Sequence, residues 1–410
     1  MQKVLFIGLV FPESTSTAAG SRMMQLLHFF LEEHYQITFA SAAQNSEYVD
    51  NLENLGIDRV TIELNNASFD SLIKSLQPDV VVFDRFITEE QFGWRVTENC
   101  PNALRILDTE DLHCLRQTRL EALKKGIEFK WNQLNHLDIT KREIASIYRC
   151  DLSLIISTFE QQLLLNHFKI PENLLVQLPF MLDAISENNL LNKPSFEQRR
   201  DFISIGNFKH EPNWQSVLYL KKTIWPLVRK QLPKVNLYIY GSYPSQKVTD
   251  LHCEKEGFIV KGRAENAHKV ISKAKVLLAP LQFGAGLKGK LVDAMLNGTP
   301  SVTTTIGAEG MHDNLPWNGY VIDNPEEFAQ KAIELYGNKN LWLQSQQNAI
   351  RIINTVFNKK RLSEKLSNRI IEIQQNLALH REQNFIGSLL QHHTMQSTKY
   401  LSRWIEEKNK

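Results

Sequence analysis

The feature that most constrains this 410-residue chain is a rhythm. Short apolar, β-branched runs alternate with longer helical patterns almost from end to end. In the first part the runs fall at 4–10, 36–40, 60–64, 80–84, 105–108, 152–157 and 175–178. Helical patterns fill the gaps, as at 21–33, where Met24, Leu27, His28 and Leu31 share a helical spacing; the charged, periodic stretch 112–149 reads as one or two helices. Strands alternating with helices imply βαβ units and a mostly parallel sheet covered on both faces. The segment 183–200 is polar and aperiodic and marks a linker. A second series of runs follows it, at 202–205, 235–240, 258–261, 276–279, 300–304 and 320–322. The expected fold is therefore α/β: two tandem Rossmann-like domains, 1–183 and 184–357, followed by a helical segment, 358–410. In that tail Ile386, Leu389, Leu390, Leu401 and Trp404 mark a face expected to pack on the domains.

Composition permits this and excludes some functions. With 42% hydrophobic and 22% charged residues, either half can bury a sizeable core. A net charge of +2 leaves no global field to draw the protein to nucleic acid, so electrostatic work must be local. Cys100, Cys114, Cys150 and Cys253 are scattered without metal spacing, which suits a reducing compartment. The opening apolar run is short and meets Pro12 and Glu13 at once, so it reads as a strand and not as a signal peptide. No stretch approaches the roughly 20 apolar residues of a membrane span. The expectation is a soluble cytoplasmic enzyme, with peripheral contact at the inner face of a membrane left open.

Ligands of open α/β sheets bind beyond the carboxyl ends of the strands. Four loops of the second series carry the relevant chemistry. Gly206, Asn207, Phe208 and Lys209 follow the first strand, ahead of Pro212 and Asn213, which open a helix. Gly241 and Gly262 follow the next two strands. Each is weak alone, since tight strand-to-helix turns also use glycine. The fourth loop is sharper: Gly284, Ala285, Gly286, Leu287, Lys288, Gly289 and Lys290 run from a buried strand into a helix that carries Asp293. Helix N-terminal amides, the helix dipole and adjacent ammonium groups make an anion site, and lysine is unfavourable there unless an anion compensates it. Two positions apart, Lys288 and Lys290 cannot share a helical face, so one is expected to reach the anion directly. Asp293 can accept hydrogen bonds from a ribose diol.

The run PLQFGAGLKGKLVDAMLNGTPSVTTTIGAEGM from Pro280 closely resembles the donor-site signature of GT-B glycosyltransferases of family 4. Ile205–Phe208 with Pro212 and Asn213, Trp225–Leu227 and Leu237–Gly241 resemble other parts of the same donor domain; the first domain matches in architecture. The resemblance implies that Lys288 or Lys290 neutralises a donor diphosphate and that Asp293 replaces the usual glutamate at the ribose. It also implies departures. Ala285 stands where many relatives carry a glutamate at the transferred sugar, and Asn207 and Asn213, with Lys209 nearby, stand where many carry arginine and lysine. On the acceptor side, the resemblance singles out Gly20, Ser21 and Arg22 after the first strand. It also singles out the cluster around Asp111 and His113, which is similar to the loop that supplies an active-site histidine. Ser157 and Glu160 border the cleft or, with more weight, cap a helix.

The function so implied is a retaining transfer from a nucleotide-diphosphate sugar to a hydroxyl of a glycan, lipid-linked or protein acceptor, in cell-surface glycan synthesis. Lys288 and His113 are the expected catalytic residues. No Asp-x-Asp metal motif occurs, so no metal and no cofactor beyond the nucleotide-sugar co-substrate is expected. The rivals are a nucleotide-sugar epimerase, which needs acid/base carboxylates in the cleft, and a non-catalytic nucleotide-sugar-binding or partner subunit, which Ala285 keeps in play.

Overall fold

The computed structural model describes residues 1–409, the side chains of residues 393–395 excepted, so position 410 of the tail lies outside the described residues. Two wholly parallel sheets form. The first comprises β1 (Lys3–Gly8), β2 (Gln36–Ser41), β3 (Asp58–Thr61), β4 (Val80–Asp84), β5 (Leu104–Asp108), β6 (Leu152–Ile155) and β7 (Leu175–Gln177), in the order β3-β2-β1-β4-β5-β6-β7. The second comprises β8 (Arg200–Ile205), β9 (Leu237–Tyr240), β10 (Phe258–Gly262), β11 (Ala274–Ala279), β12 (Ser301–Thr303) and β13 (Gly319–Val321), in the order β10-β9-β8-β11-β12-β13. Helices cover both faces of each sheet, and two separate clusters of buried side chains flank each one. The architecture is the expected pair of Rossmann-like domains.

Strand order places the ligand crevices. In the first sheet the chain steps outward through β2 and β3 and then returns to the other side of β1 with β4. In the second it does the same around β8 and β11. Each reversal opens a crevice at the carboxyl ends of two neighbouring strands. The loops after β1 and β4, and after β8 and β11, therefore face one another across the space between the domains.

Strand ends differ from the sequence reading for local reasons. β1 stops at Gly8, because the Leu9 amide donates to the Asp84 carboxylate. β3 lies at 58–61 and not 60–64: its only neighbour, β2, ends at Ser41, which pairs with Thr61, and Leu64 is exposed. β6 stops before Ser157, whose hydroxyl accepts from the Glu160 amide and caps the next helix. The 112–149 stretch holds two helices, His113–Lys125 and Asp138–Arg149, with a 3-10 helix, Trp131–His136, in the connection between them.

The tail returns to the first domain. Leu182 and Asn358 pair where the chain crosses between the domains. Beyond that point Leu362, Leu366, Ile370 and Ile373 of the helix Lys359–Gln375 enter the same buried cluster as Val4, Phe6 and Leu178. Each such side chain, fully buried, contributes about 1.5–3 kcal/mol, so this helix is part of the first-domain core. The last helix, Phe385–Lys408, corrects the expectation for its apolar face. Ile386, Leu389, Leu401 and Trp404 are exposed, and the packed side carries Asn384, Gly387 and Ser402. A Cβ on Gly387 would lie 2.1 Å from the Tyr148 carbonyl oxygen, so the close helix–helix approach admits only small and polar groups. Ion pairs of Arg95 with Asp70 and Glu406 fix it there. No helix among the described residues is long and apolar enough to cross a membrane.

Candidate functional site

The second-domain wall of the cleft is built from the loops after β8, β9, β10 and β11. Gly206, Gly241 and Gly262 end three adjacent strands. The Gly241 amide donates to the Gly262 carbonyl at 2.8 Å, and a Cβ on Gly241 would collide with the Gly206 carbonyl. Phe208 lies flat against Gly241 as packing. Lys209 turns outward, its ammonium 3.5 Å from the Tyr243 ring centroid. Asn207 reaches the first domain, donating to the Ser16 carbonyl at 3.4 Å.

The glycine-rich loop after β11 bridges the domains. Ala285 packs into a first-domain core cluster and Leu287 into a second-domain one. The Gly284 carbonyl accepts from Arg119 at 2.8 Å, and the Gly286 amide donates to Glu160 at 2.7 Å, both first-domain residues. Lys288 takes the cap position of the helix Gly289–Leu296, and its ammonium donates to the Gly286 carbonyl. Lys290 points to the other side and donates to the Asn213 side chain at 2.7 Å, beside Gly206. Neither ammonium forms an ion pair among the described residues. Burial, reinforced for Lys290 by Lys288, lowers them to about 7 for Lys290 and about 8 for Lys288. Two turns of sequence produce the helix start where the first-domain helix Ala18–Glu32 also begins: a Cβ on Gly289 would lie 2.7 Å from that of Ala18. Two helix N-termini thus abut, each with unpaired amides and a positive dipole end. Asp293 lies one turn on, partly buried beside His268, with its carboxylate in no hydrogen bond; burial raises it to about 6.

The first-domain wall is densely charged. Asp111 pairs with Arg116 and stands 3.4 Å from His113 Nε2. Burial pushes its pKa up, but Arg116, His113 and His210 outweigh that and hold it at about 2. Burial lowers His113 to about 4, so its imidazole is neutral near pH 7. The His113 ring also meets Phe86 edge-on. Gly20 packs against the backbone of Glu13, and the Ser21 hydroxyl donates to the Ser14 and Thr17 carbonyls. Arg22 is 1% exposed and wholly engaged, with Nε and Nη2 on Asp108 and Nη1 on the Leu178 carbonyl. Its guanidinium shapes the strand ends and is not free to meet a ligand.

Several cleft residues had no sequence signal strong enough to name them. Arg119 donates to both carboxylate oxygens of Glu309 at 2.8 Å as well as to Gly284, joining the domains. Glu309 lies inside the Gly-Ala-Glu-Gly run and His210 inside the loop after β8, so both were visible without a role. Arg116 and Arg119 sit on a helix with no motif. At the opposite rim Tyr243 donates to Glu13, and Arg263 donates to Thr15 and stacks on Tyr48. The cleft is closed at both rims.

Comparison with known proteins places this geometry. Residues 199–338 match the family described as glycosyl transferases group 1. A protein of the Klebsiella pneumoniae cps region, uncharacterised and of 44.6 kDa, is 27% identical over 181 residues, 42% of this chain and 43% of that one. The chain thus spans less than half the length of that curated relative. Among solved structures, S. aureus TarM in complex with UDP, fondaparinux and α-GlcNAc-glycerol superposes with a TM-score of 0.69 at 12% identity, covering 90% of this chain and all of that one. Anabaena HepE in complex with UDP and glucose gives 0.63 at 10% identity, over 90% and 99%. The galactosyltransferase WaaB of the lipopolysaccharide outer core gives 0.56 at 14% identity, over 90% and 99%. At such identities these structures establish the fold, which is GT-B.

Proposed function

From a second domain that matches the glycosyl transferases group 1 family and a whole chain with the GT-B fold, we propose that this protein transfers a sugar from a nucleotide-diphosphate donor to an acceptor hydroxyl, with retention and without a metal. The observation that carries the reading is the meeting of two helix N-termini, Ala18 against Gly289, beside the buried Lys288 and half-buried Lys290 ammonium groups, neither of which forms an ion pair among the described residues. Apposed positive dipole ends and unpaired cations repel one another; a diphosphate between them removes the repulsion and completes the amide hydrogen bonds. The same groups then stabilise the charge that grows on the diphosphate as the bond to the anomeric carbon breaks. Asp293 receives the ribose hydroxyls. Closure at both rims keeps water from the donor. Asp111, next to the donor loop, holds His113 at the acceptor side. The cps-region relative supports cell-surface polysaccharide assembly on the cytoplasmic side as the setting.

Thermal unfolding with UDP, GDP, ADP and dTDP tests this, because a ligand that binds only the folded state raises its stability. UDP heads the panel, since the TarM and HepE structures hold it. One diphosphate is expected to raise the midpoint, with the shift lost in Lys288→Ala and Asp293→Ala. No shift with any of the four would overturn the donor site and favour a non-catalytic subunit. Release of nucleotide only when acceptor is added separates transfer from epimerisation of free donor.

A further inference from the structure

The first sheet has its own crevice, between the carboxyl ends of β1 and β4, and the side chains there are left unfinished. Asp84 ends β4 and opens the helix Arg85–Asn99, yet its carboxylate does not cap that helix; Oδ2 accepts from the Leu9 amide and Oδ1 has no hydrogen-bond partner among the described residues. Glu110, just beyond β5, is 8% exposed, and its carboxyl makes no hydrogen bond among the described residues. Arg85 stands 3.7 Å from Asp84 and likewise makes no side-chain hydrogen bond among the described residues. Asp108 is also present, but Arg22 occupies it. Asp84 and Asp108 are register partners at the ends of β4 and β5, Arg85 lies against the first and Arg22 against the second, and Glu110 follows Asp108 by two residues, so the five groups lie together and act electrostatically on one another. Arg85 and Glu110 hold that space with left-handed backbone, at φ 69° and 61°. The space adjoins the donor loop: the Glu110 carbonyl and the Asp111 side chain are the nearest neighbours of the Gly286 Cβ position.

Buried acceptors and donors without partners cost free energy unless something fills them. Here the unfilled acceptors are the buried Asp84 and Glu110 carboxyl oxygens, and beside Asp84 lies the part-exposed Arg85 guanidinium with its N–H groups free to donate. A phosphate could accept from Arg85 but would face the Asp84 carboxyl, 3.7 Å from that guanidinium. An amine could donate to those carboxyls but would face Arg85. A hydroxyl donates one proton and accepts through two lone pairs, so it satisfies both kinds at once. Two adjacent hydroxyls can bridge the carboxyls and the guanidinium fork together. Among the described residues no group of three such side chains has metal-holding geometry.

We propose that Asp84, Arg85 and Glu110 form the acceptor subsite and that they bind vicinal hydroxyls of a neutral sugar ring, so that the acceptor's reacting end is an uncharged glycoside and not a phosphorylated group. This rests on the donor reading above, since the subsite is placed by its contact with the donor loop.

Saturation-transfer NMR and calorimetry test it with methyl glycosides of glucose, galactose, mannose and N-acetylglucosamine, and with glucose 6-phosphate and mannose 6-phosphate. The chain is saturated with the diphosphate found above. At least one methyl glycoside is expected to bind, and more tightly than the sugar phosphates. Glu110→Gln and Arg85→Gln should each weaken that binding by about tenfold or more while leaving diphosphate affinity unchanged. Arg85→Lys, which keeps the charge and loses the fork, should weaken it too, and thermal unfolding with diphosphate shows that each variant is folded. Tighter binding of the sugar phosphates, glycoside binding indifferent to all three substitutions, or no glycoside binding at all overturns the proposal. Diphosphate binding that persists in those cases leaves the donor site standing, so the two failures are distinguishable.

Discussion

At the scale of single residues, the lysines show how burial and chemistry combine. Sequence placed Lys288 and Lys290 at a helix start, on different faces, and argued for an anion; it could not bury Lys288 or seat Lys290 against Asn213. Their lowered values have a consequence that can be measured. A bound diphosphate raises both above their free-state values, about 8 for Lys288 and about 7 for Lys290. The protonated forms bind, so affinity falls as pH climbs through those values. Near pH 8 a diphosphate is already fully ionised, given a second phosphate ionisation at about 6, so the complex should take up protons there. Calorimetry in buffers of differing ionisation enthalpy reads this directly, and proton release would contradict it. His113 belongs to the same scale. It was legible as a candidate, but its neutrality and its orientation toward Asp111 come from burial and from charges on other elements.

Elements follow a different logic. The central strands of both sheets were visible as apolar runs, because a parallel strand covered on both faces is apolar throughout; the edge strands β3 and β13 are only partly covered and read more weakly. The strand ends were less visible, since partner length and capping side chains set them, as at Thr61 and Ser157. The glycine-rich loop was read as making room for a ligand. In the closed cleft part of that room is taken by protein: Gly286 has φ 62°, and a Cβ there would stand 2.8 Å from that of Asp111. Gly286→Ala is therefore expected to cost roughly 1–2 kcal/mol in backbone strain and to hold the loop off the first domain. Displacing a reacting group by about 1 Å can cost about a hundredfold in rate, so turnover should fall well beyond the loss of stability. Wild-type turnover with Gly286→Ala would show that the loop does not approach Asp111 during the reaction. The last helix was misread for the opposite reason. Its apolar side chains face outward and its contact side is polar and small, a pattern dictated by the Tyr148 backbone it touches.

For the whole molecule, the decisive contacts join segments far apart in sequence. Arg119 meets Glu309 and Gly284, and Glu160 meets Gly286, at separations no motif spans. Breaking a buried, hydrogen-bonded ion pair by removing one partner costs about 3–5 kcal/mol. Arg119→Ala is expected to open the cleft in the absence of ligand, seen as a larger radius of gyration in solution scattering, and to weaken donor turnover more than diphosphate binding. An unchanged scattering profile with full turnover would show that the Arg119 contact does not hold the domains. By itself the sequence determined two parallel α/β units, their strands, and a lysine-bearing anion loop, because burial period, glycine and charge are local properties. Only the tertiary structure decided that the tail completes the first core, that two helix N-termini meet, and which carboxyl oxygens line the cleft without a hydrogen bond among the described residues. Those depend on strand order and domain closure, which bring together groups whose separation along the chain carries no signal.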